Sequence, residues 1–477
     1  MLFNSIAFLV FAPVFFALYF SLRGRARLAW CVLASYFFYA WWDWRFVGLI
    51  AGSTLVAFYS GRMIDRSTSP GERKFWVWFC AGTHLLALAF FKYLGFCAGS
   101  LATVLDWFGW HFTWQNPGII LPVGISFYTF TALSYTIDVY RGKIRPAESS
   151  LLVFATYECL FPHLVAGPIL RASSFLPQLK RDHPFDWTSA GRGIQMILWG
   201  YLLKLCLADN AAMFADPRFD HPELFTSASL AVAVLAFAFQ IYGDFAGYSL
   251  IAIGLARLMG YDFGINFNKP YFAANFSEFW QRWHISLSSW IRDYIYIPLG
   301  GSQHGPSRTT ANLFLTMFLA GLWHGAGWTY VVWGLLHGLY LAAQRAVSGP
   351  YQVLCQKLRC PAALSTLLAV LVVFFLTCIA WVFFRANSLE HALYILKALF
   401  YWDATTHLTF GGMKFQLLRV AVLVAIVLVV DFLSTVERVR SLYVKYPYAR
   451  AVLAGLVVLT ILFTGRFDAT SFIYFQF

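Results

Sequence analysis

The sequence predicts an all-α protein that crosses a membrane many times. Of its 477 residues, 60% are hydrophobic and only 12% are charged, about half the charged share of a soluble domain. Apolar runs of spanning length recur from end to end, near 1–20, 75–96, 228–256, 363–384 and 416–433. The remaining charges are sorted between loops, as topology-setting charges are. No hydrophilic stretch is long enough for a separate soluble domain, so 1–477 reads as a single membrane domain.

The first run has no basic residue before it and Arg23, Arg25 and Arg27 just after it. A secretory signal carries its charge on the other side, so this is a retained helix with the N-terminus outside. Spans near 28–42, 46–61, 75–96 and 118–140 follow. They place the basic loops 62–74 (Arg62, Arg66, Arg73, Lys74) and 141–145 (Arg141, Lys143, Arg145) inside. Segment 97–117, without Lys or Arg, is then an outer loop. This sorting also accounts for the net charge of +13 without nucleic acid as a partner.

The apolar segment 151–170 lies between two basic loops, since 171–192 carries Arg171, Lys180, Arg181 and Arg192. It is expected to enter the membrane and return, broken at Phe161-Pro162 and Gly167-Pro168. Irregular backbone at that depth must be buried or line a cavity, which makes 158–171 a candidate cavity wall. A span near 193–208, an acidic outer loop over 209–227 and the run 228–256 come next.

Residues 278–301, EFWQRWHISLSSWIRDYIYIPLGG, are unlike the rest. Trp283, Leu287, Trp290, Ile291 and Tyr294 share one helical face and Arg282, Ser286, Ser289 and Asp293 another. This predicts one amphipathic helix, ended by Pro298, Gly300 and Gly301, at the interface or along a wet cavity. The next apolar run, 311–323, spans about 20 Å, short of a hydrocarbon core of about 30 Å. The turn His324-Gly325-Ala326-Gly327 that follows is thereby expected within the membrane. Spans near 363–384, 416–433 and 449–464 put the C-terminus outside.

An ionisable side chain at membrane depth is a candidate functional group. His324 fits best, flanked by Trp323 and by the glycines Gly325 and Gly327 that let a substrate approach the backbone. His284 stands at the start of the amphipathic helix. Histidine can take a hydroxyl proton near neutral pH. His337, 13 residues after His324, falls almost in phase with it; packing is its leading reading and a supporting role the second. His84 and His163 are weaker candidates, and the remaining histidines fall in loops or near helix ends. The eight cysteines form neither a disulfide framework nor a CxxC site. Phosphate-loop, nucleophile-elbow and clustered metal-ligand patterns are absent.

With these motifs in view, the sequence resembles the alginate O-acetylase branch of the membrane-bound O-acyltransferase (MBOAT) family. The likeness runs nearly full length, through FYAWW (38–42), LPVGISFYTF (121–130), IDVYRG (137–142), FPHLVAGPILR (161–171), DFAGYS (244–249), INFNKPY (265–271), the 278–301 segment, NLFLTMFLAGLWHGAGWTY (312–330), WGLLHG (333–338) and FIYFQF (472–477). RWH around His284 and WHG around His324, 40 residues apart, are its most specific part. The resemblance implies about 11 transmembrane helices with re-entrant and amphipathic segments around a central tunnel, and an acyltransfer core over about 118–345. It implies His324 and His284 as catalytic residues. From their positions, Trp283, Arg282, Arg292, Asp293, Asn312, Trp323 and His337 are candidates to support them or bind substrate, Arg282 and Arg292 through the phosphates of the acyl donor.

It further implies a bacterial inner-membrane protein surrounded by lipid. No cofactor is held permanently. The acyl donor is a cytoplasmic thioester, acetyl-CoA, and a periplasmic SGNH-hydrolase-like partner passes the acetyl group to a polysaccharide such as alginate, cellulose or peptidoglycan. D-alanyl-transferring relatives share RWHxSLSxWxRD but usually lack PLGG and FIYFQF, which places this chain outside them. The competing reading from the residues alone is a transporter or flippase with proton-relaying histidines. Its signature of repeats with paired broken helices is not visible. A third reading, a scaffold that only recruits polysaccharide enzymes, should tolerate His324→Ala.

Overall fold

The computed structural model describes residues 1–111, 114, 117–401, 413–468 and 472–473, and these are helical with no strand. His407 and residues 474–477 of the FIYFQF motif lie outside the described residues. Seven helical stretches among them are long and apolar enough to cross a membrane: Gly24–Arg66, Pro70–Trp107, Trp187–Asp220, Ser227–Leu258, Ala362–Arg385, Lys414–Leu433 and Pro447–Thr464. A short 3₁₀ turn at Trp44–Phe46 divides the first into two helices of 20 residues each, each about 30 Å long. Along these stretches large apolar side chains stand exposed, among them Trp78, Leu86 and Phe463. Such a surface is solvated by lipid rather than water.

The chain forms two compact units, one of residues 1–194 and 252–264, the other of 195–251 and 265–477. In the first unit, 97–117 is not simply a loop, because helix continues to Trp107. The segment 151–170 is broken as its prolines dictate, into Leu151–Cys159 and Phe161–Ala166. Its role differs from the cavity wall expected. Phe161 is fully buried against the rings of Phe8, Phe11, Phe15 and Phe38 at 4.9–6.3 Å, and its amide donates to Ser35 Oγ at 3.0 Å. This is packed core. Gly124, at φ +76°, starts the Ile125–Tyr140 helix where any Cβ would stand 2.6 Å from the Leu164 carbonyl oxygen, so only glycine fits there.

In the second unit the helix leading to His324 is Gly305–His324, six residues longer at its start than its apolar stretch. Pro306 occupies its first turn, and the hydroxyls of Thr309 and Thr310 donate back to the carbonyls of Gly305 and Pro306. The polar residues therefore belong to the helix, which is about 30 Å long, not 20 Å. It packs on Trp328–Lys357 through two glycines. A Cβ on Gly321 would lie 2.3 Å from Tyr330 O, and one on Gly334 2.3 Å from Met317 O. Backbone-to-backbone approach of this kind is how small residues hold membrane helices together.

A buried ion cluster braces the same unit. Lys204, in a π-helical turn over Leu202–Ala208, bonds Asp209 at 2.9 Å and Asp244 at 2.5 Å, and all three are almost fully buried. Asp244 Oδ2 also accepts the amide of Ile473 at 2.6 Å, which ties that residue to the cluster.

Candidate acyltransfer site

The amphipathic segment is not one helix. It is Phe276–Arg282 and Ile285–Ile291, with a corner at Trp283-His284 and a π-helical turn over Arg292–Tyr296. His284 itself takes the left-handed conformation, at φ +43°, which costs an L residue roughly 1–2 kcal/mol. Asn266 compensates. Its Oδ1 accepts from His284 Nδ1 at 3.2 Å, from Ser286 N at 3.1 Å and from Ser286 Oγ at 3.0 Å, and the Ile285 amide donates to its carbonyl at 2.9 Å. One side chain thus fixes both the corner and the ring.

This bond also fixes the tautomer. An amide oxygen only accepts, so Nδ1 carries the hydrogen and Nε2 of the neutral ring is an acceptor. Burial pushes the imidazole well below the ordinary histidine range, because a charged ring is disfavoured away from water. A neutral His284 with hydrogen on Nδ1 cannot donate from Nε2 to a carbonyl oxygen. Its Nε2 is instead a hydrogen-bond acceptor.

His324 ends the Gly305–His324 helix and is buried. Its ring meets Trp323 at 4.9 Å, Trp333 at 4.8 Å and Phe384 at 5.2 Å, all nearly edge-on. Trp323 in turn meets His284 at 5.8 Å, so this one indole stands against both histidines. On the other side Trp333 meets His337 at 4.8 Å. His337 is fully buried and neither ring nitrogen has a hydrogen-bond partner among the described residues. His284, Trp323, His324, Trp333 and His337 thus form a continuous row of rings.

The other expected residues separate by what they touch. Trp283 is fully buried, stacked on Phe279 at 5.7 Å and against Trp381 at 5.0 Å, and so packs the corner. Asn312 donates to the carbonyls of Leu299 and Gly301 at 3.2 and 2.9 Å, clasping the PLGG loop to the His324 helix. Arg282 pairs with Glu278 and reaches the Lys269 carbonyl. Arg292 is well exposed and pairs with neighbouring Asp293 at 2.9 Å. It lines a cavity of about 380 Å³ together with Ser288, Ser289, Trp280, Thr316 and Ala320. Ala320 lies one helical turn before His324, and Trp280 touches both Trp333 and His337.

Asn266 and the Lys204 cluster were not singled out from sequence. Asn266 sits within INFNKPY, and Lys204 is a lone cation in an apolar run, itself a signal of function or of a buried ion pair.

A multi-pass helical membrane protein with buried histidines on a ring of aromatic side chains defines the class. Residues 143–386 match the model of the membrane-bound O-acyltransferase family, MBOAT, and the chain belongs to that family. It is an O-acyltransferase. It is 41% identical over 410 residues to the probable alginate O-acetylase AlgI of Pseudomonas putida, covering 84% of this chain and 80% of the relative. The probable AlgI of Azotobacter vinelandii is 38% identical over 452 residues, covering 93% and 86%. The peptidoglycan O-acetyltransferase of Helicobacter pylori is 34% identical over 430 residues, covering 84% and 80%.

Proposed function

We propose that this enzyme takes an acetyl group from acetyl-CoA on the cytoplasmic side and passes it on for O-acetylation of a polysaccharide outside the bacterial inner membrane. Both termini lie on the periplasmic side, about eleven helices cross, and an SGNH-hydrolase-like periplasmic protein completes the delivery. Relatives named for alginate and for peptidoglycan O-acetylation support the polysaccharide class. The whole chain serves as one acyltransfer domain with its core over about 118–345.

The observation that carries this reading is the packing of both His284 and His324 against the one indole of Trp323. The acceptor hydroxyl loses its proton to His324 as its oxygen attacks the thioester carbonyl. His324 then returns the proton to the departing CoA thiolate, so the transfer is proton-neutral. General-base help of this kind is worth about 10²–10⁴ in rate. His284, held in place by Asn266, orients the thioester for the same transition state. The Arg292-lined cavity receives the donor, with the guanidinium on its phosphates.

The test is transfer of labelled acetyl from acetyl-CoA by the purified protein with its partner and a polysaccharide acceptor. Label should leave CoA and appear on the acceptor. A flippase would leave the thioester intact, and that result would overturn the proposal.

A further inference from the structure

A second buried polar group lies in the first unit and takes no part in acyl transfer as proposed above. Glu158 is fully buried and His84 nearly so. Ser53 Oγ lies 2.6 Å from Glu158 Oε1 and 2.9 Å from His84 Nε2. His84 Nδ1 lies 2.8 Å from the Cys80 carbonyl oxygen. The three side chains come from three helices, Val47–Arg66, Pro70–Leu88 and Leu151–Cys159. Ser53 precedes Arg66 by 13 residues and His84 follows Pro70 by 14. At 1.5 Å per residue each sits about 20 Å along its helix from the basic end, deep in a core of about 30 Å.

Hydrogen bookkeeping decides what this group holds. A carbonyl oxygen only accepts, so His84 Nδ1 carries a hydrogen. Ser53 has one hydrogen and two short contacts to fill. If Glu158 is ionised and His84 neutral, that hydrogen serves one contact and the other sets lone pair against lone pair. Both contacts become hydrogen bonds only with one more proton. With the proton on Glu158, the carboxyl donates to Ser53 and Ser53 donates to His84. With it on His84, the imidazolium donates to Ser53 and Ser53 donates to Glu158. Glu158 is fully buried with the hydroxyls of Ser53 and Thr54 beside it, and an ionised carboxylate buried without a cation is costly, which favours the first form. The titratable groups facing Glu158 are the phenols of Tyr36 and Tyr128 and the thiols of Cys80 and Cys159, none of them a cation that would hold it ionised.

We infer that Glu158, Ser53 and His84 form a proton-binding site within the membrane, a carboxyl–hydroxyl–imidazole relay whose ligand is a single mobile proton. Loss of that proton breaks one of the two Ser53 bonds, and so loosens one of the three helices joined there. The site is separate from the His284–His324 row and its chemistry does not depend on the acyl donor.

Infrared spectroscopy of the whole purified protein, titrated with pH, tests this. Wild type should show a protonated-carboxyl band at neutral pH that Glu158→Gln lacks, and that disappears on alkaline titration. Ser53→Ala should keep the band but move it to higher frequency, since the carboxyl loses its acceptor. This second variant carries the test if the first does not fold. Nitrogen-15 spectra of the histidines, assigned with His84→Gln, should show a neutral ring with hydrogen on Nδ1, or an imidazolium if the proton rests there. The inference is overturned if neutral-pH wild type has neither a carboxylic acid at Glu158 nor an imidazolium at His84.

Discussion

Replacing His324 by glutamine isolates its chemistry from its packing. Glutamine keeps a polar side chain of similar length but offers no base near neutral pH. The imidazole meets three rings at 4.8–5.2 Å, and each aromatic pair is worth about 0.5–1.5 kcal/mol. Loss of the three therefore costs about 1.5–4.5 kcal/mol of stability. Loss of the base should lower turnover by about 10²–10⁴, equivalent to about 3–5 kcal/mol of barrier. The two effects separate in different measurements, melting of the purified protein for the first and acetyl transfer at saturating donor for the second. Because both histidines are proposed to serve one transition state, their losses should not add. His284→Gln with His324→Gln should be little slower than His324→Gln alone. A folded His324→Gln enzyme with near-normal turnover would refute the mechanism, and strict additivity would show that the histidines serve different steps.

Arg292→Ala should raise the apparent KM for acetyl-CoA more than it lowers kcat, measured by initial rates over a range of donor. An unchanged KM would remove the 380 Å³ cavity from the donor's path. Lys204→Met should destabilise by about 3–5 kcal/mol, because Asp209 and Asp244 are left buried without their cation. Thermal melting checks this, and a simultaneous change of Asp244 to Asn should recover part of the loss. Cysteines engineered into 62–74 and 141–145 should react with a membrane-impermeant reagent only from the cytoplasmic side, and one beside the C-terminus only from the periplasmic side. Cytoplasmic labelling of the C-terminus would refute the predicted topology.

The long apolar helices were legible because hydropathy over about 20 residues marks a spanning helix whatever it packs against. Gly305–His324 was read short for the same reason, since hydropathy sees apolar residues and not helix. Its Thr309 and Thr310 hydroxyls bond back within the helix and hide there. The corner at His284 could not be read from periodicity. Trp283, Leu287, Trp290 and Ile291 keep helical spacing across it, while the left-handed turn depends on Asn266, which comes from a distant loop. His324 and Trp323 stood out because a histidine in an apolar run is rare. Glu158 and Lys204 carry the same signal, but neither sits in a motif with a ready chemical reading.

The left-handed corner at His284 has a consequence for how any substitution there is interpreted. At φ +43° an alanine bears the backbone penalty without the histidine's bond to Asn266, whereas glycine occupies that conformation freely. Alanine therefore changes two things at once, and its effect on activity mixes a shifted chain direction with a missing ring. The glycine enzyme keeps the bend without the ring, so any activity it retains beyond the alanine enzyme reports the cost of strain at the corner. A position that is usually treated as a reagent is here also a piece of joinery, setting the angle at which Phe276–Arg282 hands the chain to Ile285–Ile291.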